Sequence, residues 1–341
     1  MLRLPIAATI LAALGAAVTA ALWVRSVATS ELLLPKPRGP FAVGRSVFDW
    51  IDAARNRELM VFVWYPAPAA SQGVPAEHLP GKWGDLAKPR LPAGEVHSSS
   101  LQDAPVIEGR HPLLVLVPGM GNIPTDYSTI AEDLASFGYV IAGVAPTGSA
   151  RVVVFPSGRV VRGTDGIDLE HRVEQQPVVA RWLADCRFVL DQLPREGDWG
   201  DRIDWKRIGI FGHSFGGAVT LHALKEDRRF LRGADLDGAP HGAAVTNLDR
   251  PVLFLNGSPL PPSQRGLNDK ILAEMQAICS SAKVGCEWKG YPEAGHANFS
   301  DRGALPLPWP LPRSRYGLTE IDGTAFLRKV SSDLKTFFDR L

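Results

Sequence analysis

One short stretch constrains the fold more than any other. The apolar run at 208–211 is followed at once by the letters GHSFGG and then by an apolar pattern of helical spacing. A strand that turns into a helix within so few residues needs small residues nearby, because the backbone crowds itself at the turn. Such a turn exposes the hydroxyl of Ser214 at a helix N-terminus, which favours developing negative charge. The stretch predicts a strand, a tight turn and a helix with Ser214 as a nucleophile; the alternative is a structural turn that contains a serine.

Short apolar runs alternate with amphipathic segments along most of the chain. Strand-like runs occur at 112–117, 139–144 and 250–256, and helix-like segments such as 126–138 lie between them. Short buried strands separated by helices are typical of a mainly parallel sheet that is covered by helices on both faces. The pattern therefore predicts an α/β domain whose functional residues follow the carboxyl ends of its strands.

The first part of this domain has a different pattern. Two longer strand-like runs within 41–66 flank the polar letters DAARNRE and predict an antiparallel hairpin at one edge of the sheet. Residues 67–110 are rich in Pro, Gly, Ser and Ala with little periodicity, so we expect a loop-rich insertion there. Residues 151–163 alternate around a Pro-Ser-Gly turn and predict a second, small hairpin. All of these segments fit within one catalytic domain over 36–341.

Residues 1–28 differ from the rest of the chain. They begin with a short basic start at Arg3, continue as an uncharged and mostly apolar stretch, and have small residues at Val18 and Ala20. This pattern predicts a signal peptide that is cleaved after Ala20. The apolar stretch is also close to the roughly 20 residues that span a bilayer, so an uncleaved membrane anchor is the alternative. We therefore expect a protein that is secreted or periplasmic, or associated with the membrane through this segment.

Charge and cysteine content narrow the function classes. The formal net charge is +1, which gives no reason to expect a nucleic-acid partner. The sequence has neither zinc-finger spacing nor a glycine-rich phosphate loop. Cys279 and Cys286 are close in sequence and could form a disulfide in an oxidising compartment, or remain two buried thiols. Cys186 lies within a helix-like segment and is expected to be an inert core residue.

A nucleophilic serine needs a general base with a pKa near the working pH, and histidine meets this need. In hydrolases with this strand–turn–helix element the acid and then the histidine follow the serine in the chain. This order excludes the histidines that precede Ser214, and we expect the side chain of the adjacent His213 to point away from the site. His222 lies within the next helix-like segment, and His241 precedes the last strand-like runs. His296 remains, in a Gly-containing loop just after a strand-like run, and is the predicted base.

The choice of the acid is less direct. In many such hydrolases it follows the second strand after the serine helix, but the run at 250–256 is followed by no carboxylate until Asp269. The preceding strand-like run ends in Asp235 and Asp237. Asp237 is nearer the carboxyl end and is followed by a glycine, as a turn would require. Asp237 is therefore the predicted acid, which would orient the imidazole and stabilise the imidazolium, and Asp235 is the alternative.

The negative charge that develops on a carbonyl oxygen needs two backbone N–H donors, the oxyanion hole. One should belong to Phe215, the residue after the serine. The other should come from the letters PGMGN after the strand-like run at 112–117. Met120 lies there between two glycines, so its N–H is the predicted second donor; the alternative is an ordinary turn.

Taken together, these motifs resemble a known family. The letters GHSFGG, the acid at Asp237 and the letters HANFSD around His296 are similar to the secreted and type II platelet-activating factor acetylhydrolases and their bacterial relatives. The resemblance covers most of 41–341. One departure is Pro118, which stands where the animal enzymes have a histidine. Another is that the segments 67–110 and 304–317 show no resemblance to the family.

The resemblance implies an α/β-hydrolase fold and hydrolysis of the short or oxidised sn-2 acyl chain of phospholipids, without calcium, metal or cofactor. The implied site residues are the triad Ser214, Asp237 and His296 with the backbone donors Met120 and Phe215. We therefore expect a serine carboxylic ester hydrolase that acts on a small ester or lipid substrate through an acyl-enzyme. The alternatives are a lipase or cutinase-type polyesterase, for which residues 305–312 could supply apolar surface, and a non-catalytic binding protein on a hydrolase fold.

Overall fold

The computed structural model describes residues 12–19, 21–22, 32–83, 86, 96–305 and 312–341. In chain order its strands are β1 (Leu32–Leu33), β2 (Ala42–Asp52), β3 (Arg57–Ala67), β4 (Pro75–Glu77), β5 (Val96–Gln102), β6 (His111–Val117), β7 (Val140–Val144), β8 (Val152–Val154), β9 (Val160–Arg162), β10 (Ile203–His213), β11 (Arg232–Leu236), β12 (Val252–Asn256) and β13 (Cys286–Gly290). Its helices include α1 (Ser128–Ser136), α2 (Gln176–Gln192), α3 (Trp199–Arg202), α4 (Phe215–Glu226), α5 (Arg265–Ser281) and α6 (Gly323–Phe338).

Eleven of these strands form one sheet in the order β1-β5-β2-β3-β7-β6-β10-β11-β12-β13, with β4 paired to β5. From β7 to β13 every neighbouring pair is parallel. The hairpin of β2 and β3 is antiparallel, and β3 is antiparallel to β7 as well. A mainly parallel sheet with an antiparallel hairpin was predicted, and the α/β-hydrolase fold is confirmed.

Helices cover both faces of the sheet, and the pleat of the strands explains why. Side chains alternate between the two faces along a strand. In β6, Leu114 and Leu116 pack into the core formed with α1 and α6, whereas Leu113 and Val115 pack into the core formed with α2 and α4. Because both faces are buried, the central strands are continuous apolar runs rather than alternating ones.

The structure of the segment 67–110 differs from the sequence prediction in one respect. It contains β4 and β5, and β5 lies beside β2, so the hairpin is not the edge of the sheet. The sequence of β5 reads VHSSSLQ and has no apolar run. A buried carboxylate holds it instead: Glu132 of α1 accepts the backbone N–H groups of Ser99 and Ser100, both at 3.1 Å. Apolar periodicity could not reveal a strand that is fixed by a buried polar contact.

The remaining segments follow the predictions where they are described. β8 and β9 form the small antiparallel hairpin expected within 151–163.

The prediction for residues 1–28 lies largely outside the described residues; positions 12–19 and 21–22 are helical and exposed. No helix in the described ranges is long and apolar enough to cross a membrane.

The strand order determines where the chemistry can take place. β6, β10, β11 and β13 are parallel members of the same sheet, so their carboxyl ends meet at one edge. The predicted oxyanion loop, nucleophile, acid and base follow these four strands in that order. Residues that are far apart in sequence are therefore brought together above the centre of the sheet.

Candidate active site

Ser214 occupies a strained turn between β10 and α4. Its backbone has φ 56° and ψ −121°, a conformation that costs non-glycine residues on the order of 1–3 kcal/mol. The N–H of Ser214 donates to the carbonyl of Leu236 at 2.9 Å, which ties the turn to the end of β11. A Cβ at Gly216 would lie 2.2 Å from the carbonyl oxygen of Val117, so the close approach of this turn to β6 requires glycine. Such strain is typical of a functional turn that the surrounding structure holds in place.

Asp237 and His296 form a hydrogen-bonded pair beside this turn. The Nδ1 of His296 is 2.6 Å from the Oδ2 of Asp237, and the Oδ1 of Asp237 accepts the N–H of Gly257 at 2.7 Å. A carboxylate can only accept, so Nδ1 carries the hydrogen and Nε2 of the neutral ring is left with a free lone pair. That is the tautomer which a general base requires. Asp237 itself has φ 52°, which turns its side chain out of the run of β11.

Ser214 and His296 line the same cavities. The serine is 8% exposed, and half of the histidine side chain is open to solvent. No hydrogen bond joins the Ser214 hydroxyl to the His296 ring within the described part of the chain. Catalytic hydrogen bonds are often long before substrate binds and shorten in the reacting complex. The lack of a Ser214–His296 hydrogen bond is therefore compatible with base catalysis.

The loop after β6, residues 118–122, lies directly against the serine; we call it the oxyanion loop. A Cβ at Gly119 would be 3.3 Å from the Cβ of Ser214. The backbone N–H groups of Met120 and Phe215 have no acceptor among the described residues, whereas the next N–H of the loop, that of Gly121, donates to Ser149. Two unused donors on either side of the serine are what a developing oxyanion needs.

The cavity above the serine has two lobes, and both contain Ser214 and His296. The apolar lobe has a volume of about 680 Å³ and is lined by Ile271 and Met275 of α5 and by Trp288 of β13. The polar lobe has a volume of about 470 Å³. Besides His213, Ser214 and His296, its polar lining side chains are Asn122, Ser149, Arg151, Asp165, Ser300 and Arg302.

Comparisons with known proteins find similar esterases and acetylhydrolases. A family model described as platelet-activating factor acetylhydrolase, isoform II, matches residues 187–301. A probable 1-alkyl-2-acetylglycerophosphocholine esterase of Arthroderma benhamiae is 28% identical over 249 residues, which are 63% of this chain and 61% of the relative. The platelet-activating factor acetylhydrolase of Cavia porcellus is 25% identical over 293 residues, 70% of this chain and 65% of the relative. This chain is similar to the platelet-activating factor acetylhydrolases.

A solved structure extends the likeness to nearly the whole fold. A ferulic acid esterase from Streptomyces cinnamoneus has 28% sequence identity and a TM-score of 0.76, covering 91% of this chain and 93% of that one. A dienelactone hydrolase-like structure from metagenomic libraries, 15% identical with a TM-score of 0.51, shares the fold alone. This chain spans less than two thirds of the length of the curated relatives named above, 61% and 65%.

The alternative acid, Asp235, lies elsewhere. It is fully buried, and its Oδ1 accepts the N–H of Gly238 at 2.8 Å. A Cβ at Gly217 would lie 1.9 Å from that same oxygen, so the carboxyl packs under the first turn of α4. Burial raises the pKa of the Asp235 carboxyl to about 8, and the charge of Asp237 adds to this rise. A carboxyl that is buried away from His296 does not fit the role of the acid.

His213 corrects another prediction. Its side chain was expected to point away from the site, but its ring lies against His296 with ring centroids 4.5 Å apart. It is 3% exposed, and burial together with the neighbouring His296 keeps its pKa well below the usual value. His213 is therefore a neutral ring next to the site rather than a base in it.

Cys279 and Cys286 are joined as a disulfide that links the C-terminal end of α5 to β13, with Cα atoms 5.3 Å apart. Both elements contribute walls to the apolar lobe. Cys186 is a buried free thiol, and burial raises its pKa. Within the described residues, no group of three or more His, Cys, Asp or Glu side chains is arranged to hold a metal ion.

Replacing Asp235 by asparagine should make stability less dependent on pH between about 4 and 8. In the unfolded chain this carboxyl releases its proton near pH 4, about its ordinary value, whereas the folded protein holds the proton up to about pH 8. Over that interval the free energy of unfolding falls as pH rises, by up to about 1.4 kcal/mol per pH unit. Urea unfolding across the interval measures the slope. A variant with the wild-type slope would contradict the burial of a protonated Asp235.

Proposed function

We propose that this chain is a serine carboxylic ester hydrolase with Ser214 as nucleophile, His296 as general base and Asp237 as the acid that orients it. One observation carries the proposal: the strained turn at Ser214 shares its cavity with a histidine whose Nδ1 is held at 2.6 Å by Asp237. The names of the relatives, which are esterases and acetylhydrolases, support the same chemistry.

The proposed reaction has two acyl-transfer steps. Nε2 of His296 accepts the proton of the Ser214 hydroxyl as its oxygen attacks the ester carbonyl. The N–H groups of Met120 and Phe215 stabilise the tetrahedral oxyanion, and the imidazolium then protonates the leaving alcohol. Water attacks the acyl-enzyme with His296 again as base, which releases the acid and restores the serine.

We infer that the substrate is a short-chain acyl ester, with the sn-2 acetyl group of a phospholipid as the leading candidate. The two lobes support this inference. The apolar lobe offers aliphatic and aromatic walls to hydrocarbon, and the polar lobe offers Arg151 and Arg302. Neither guanidinium is hydrogen-bonded or ion-paired through its side chain within the described ranges, and the carboxylate of Asp165 is already engaged by Arg181. Guanidinium groups bind phosphate oxygens well.

A panel of esters tests the function. We expect turnover of 4-nitrophenyl acetate and of a 2-acetyl glycerophospholipid, with a steep fall in kcat/KM beyond roughly butyryl esters. Equal or better rates on long-chain esters or polyesters would favour the lipase or polyesterase alternative; the residues 305–312 on which that alternative relied lie mostly outside the described part. A feruloyl ester belongs in the panel because of the Streptomyces cinnamoneus neighbour. No hydrolysis of any ester would overturn the proposal.

Replacing Arg151 and Arg302 together by glutamine should affect anionic esters selectively. Each charge-assisted hydrogen bond is worth about 1.5–3 kcal/mol, so KM for the acetyl glycerophospholipid should rise about tenfold or more. The same variant should hydrolyse neutral 4-nitrophenyl acetate within about twofold of the wild-type rate, because these side chains do not contribute to the acyl-transfer steps. Arg340→Gln, which removes an exposed arginine paired with Glu287, is the control. Equal losses on both esters would argue against a phosphate contact.

The location of the protein is also a proposal. We propose that residues 1–28 export the catalytic domain or hold it at a membrane surface. The Cys279–Cys286 disulfide supports this, because disulfides persist mainly in oxidising compartments. Mass measurement of the mature protein distinguishes cleavage after Ala20 from retention of the segment.

A further inference from the structure

A buried tyrosine connects the oxyanion loop to the residue next to the nucleophile. The hydroxyl oxygen of Tyr127 is 2.9 Å from the backbone nitrogen of Gly119, 2.9 Å from Nδ2 of Asn122 and 2.8 Å from Nδ1 of His213. Nε2 of His213 lies 3.0 Å from the backbone carbonyl oxygen of His296. The tyrosine is fully buried, and burial raises the pKa of its hydroxyl, which stays protonated.

The direction of each hydrogen bond that Tyr127 and His213 make in this network is fixed. The carbonyl of His296 can only accept, so Nε2 of His213 carries a hydrogen. The buried ring of His213 is neutral, so its Nδ1 has no hydrogen and must accept from the Tyr127 hydroxyl. The two remaining positions on the hydroxyl oxygen accept from Gly119 and Asn122. Every donor and acceptor of the Tyr127 hydroxyl is thereby satisfied, with no alternative arrangement.

This hydrogen-bond network joins three segments that must keep their relative positions during acyl transfer. Gly119 immediately precedes Met120, whose N–H is the proposed oxyanion donor. His213 immediately precedes Ser214, and His296 supplies the proposed base. Displacements of about 1 Å in such groups can cost about a hundredfold in rate. A buried network with every member satisfied is also rigid, because breaking one bond leaves a buried polar group without a partner.

We propose that Tyr127 and His213 are positioning residues that hold the oxyanion loop, the Ser214 turn and the His296 backbone in register. This inference rests on the proposed function, since it assigns roles to residues that support the proposed triad. Neither side chain exchanges a proton with substrate. Their effect is on how well the two N–H donors meet the oxyanion, and so on the transition state more than on substrate binding.

Tyr127→Phe tests the proposal because it removes only the hydroxyl. We expect kcat for 4-nitrophenyl acetate to fall about 10- to 100-fold with KM within about threefold. The Ki of a trifluoromethyl ketone, whose adduct carries an oxyanion, should rise by the same factor as kcat falls. The Ki of the corresponding uncharged alcohol, which forms no adduct, should not change. A merely structural role would lower the Tm and leave the ratio of these two Ki values as in the wild type.

Tyr139→Phe is the matched control. Tyr139 is also buried, its hydroxyl donates to Asp339 at 2.7 Å, and it immediately precedes β7, away from the site. The Tyr139→Phe variant should lower the Tm about as much as Tyr127→Phe does, and should leave kcat and both Ki values unchanged. Wild-type kcat and Ki values in Tyr127→Phe, or equal losses in the two variants, would overturn the proposal.

Asn122→Ala keeps the proposal testable if Tyr127→Phe does not fold. It removes one donor to the tyrosine from a partly exposed side chain, and we expect the ketone Ki to rise and kcat to fall together, by about threefold or more. If Asn122→Ala has the kcat and the ketone Ki of the wild type, the proposal is overturned. The wild-type assay keeps the two ideas apart: an inactive wild type refutes the proposed function, whereas an active wild type with unaffected variants refutes only the positioning role.

Discussion

Ser214→Ala is expected to lose ester hydrolysis by about 10⁵- to 10⁶-fold in kcat while remaining folded. The methyl group cannot form the acyl-enzyme, and the residual rate comes from the oxyanion donors and from substrate binding alone. Folding should tolerate the change because the hydroxyl makes no capping hydrogen bond to α4, and alanine meets the same backbone strain at φ 56° that serine meets. Hydrolysis of 4-nitrophenyl acetate and the Tm are the two measurements.

The control for this variant is Ser258→Ala. Ser258 also lines the apolar lobe, but it follows β12 and has no proposed part in acyl transfer. Its activity should remain within about threefold of the wild type, as for most substitutions away from reacting groups. Wild-type turnover in Ser214→Ala would mean that another group is the nucleophile.

Asp237→Asn is expected to reduce kcat by about 10⁴-fold. An asparagine amide can donate to Nδ1 of His296, which would place the ring hydrogen on Nε2, where the base must be free to accept from Ser214. The amide also lacks the charge that stabilises the imidazolium. The expected loss is in kcat rather than in KM, because the amide has almost the same size as the carboxylate that lines the apolar lobe.

The matched control for this variant is Asp235→Asn, two residues earlier in the chain. Its carboxyl is buried beneath α4 and contacts Gly238 rather than His296. We expect near wild-type kcat and the altered dependence of stability on pH described above. The reverse pattern, with activity lost in Asp235→Asn and kept in Asp237→Asn, would show that the acid has been assigned to the wrong residue.

The fold could be predicted from the sequence wherever burial leaves an apolar pattern. The central strands β6, β7, β10 and β12 are apolar runs because helices cover both of their faces. The edge beyond β2 could not be predicted in this way. β5 contains three consecutive serines, and its place depends on the Glu132 carboxylate from a distant helix, a contact that no local pattern encodes.

The candidate site shows the same division. Ser214 was indicated by its immediate neighbours in sequence, and His296 by the order of elements along the chain. The choice between Asp235 and Asp237 depends on the positive φ of Asp237 and on the burial of Asp235, which a strand-like sequence pattern does not reveal. Sequence reasoning missed Tyr127 entirely, because its partner His213 is 86 residues away and the bond between them forms only in the folded protein.

The most direct test of the account is covalent labelling with a fluorophosphonate probe, followed by mass spectrometry of the digested protein. The account predicts one adduct per chain, on the peptide that contains Ser214, and no adduct in folded Ser214→Ala. Such labelling would also exclude a non-catalytic binding protein, because the probe reacts only with an activated hydroxyl. An adduct on a different residue, or an unlabelled but folded wild type, would contradict the central claim that Ser214 is the activated nucleophile.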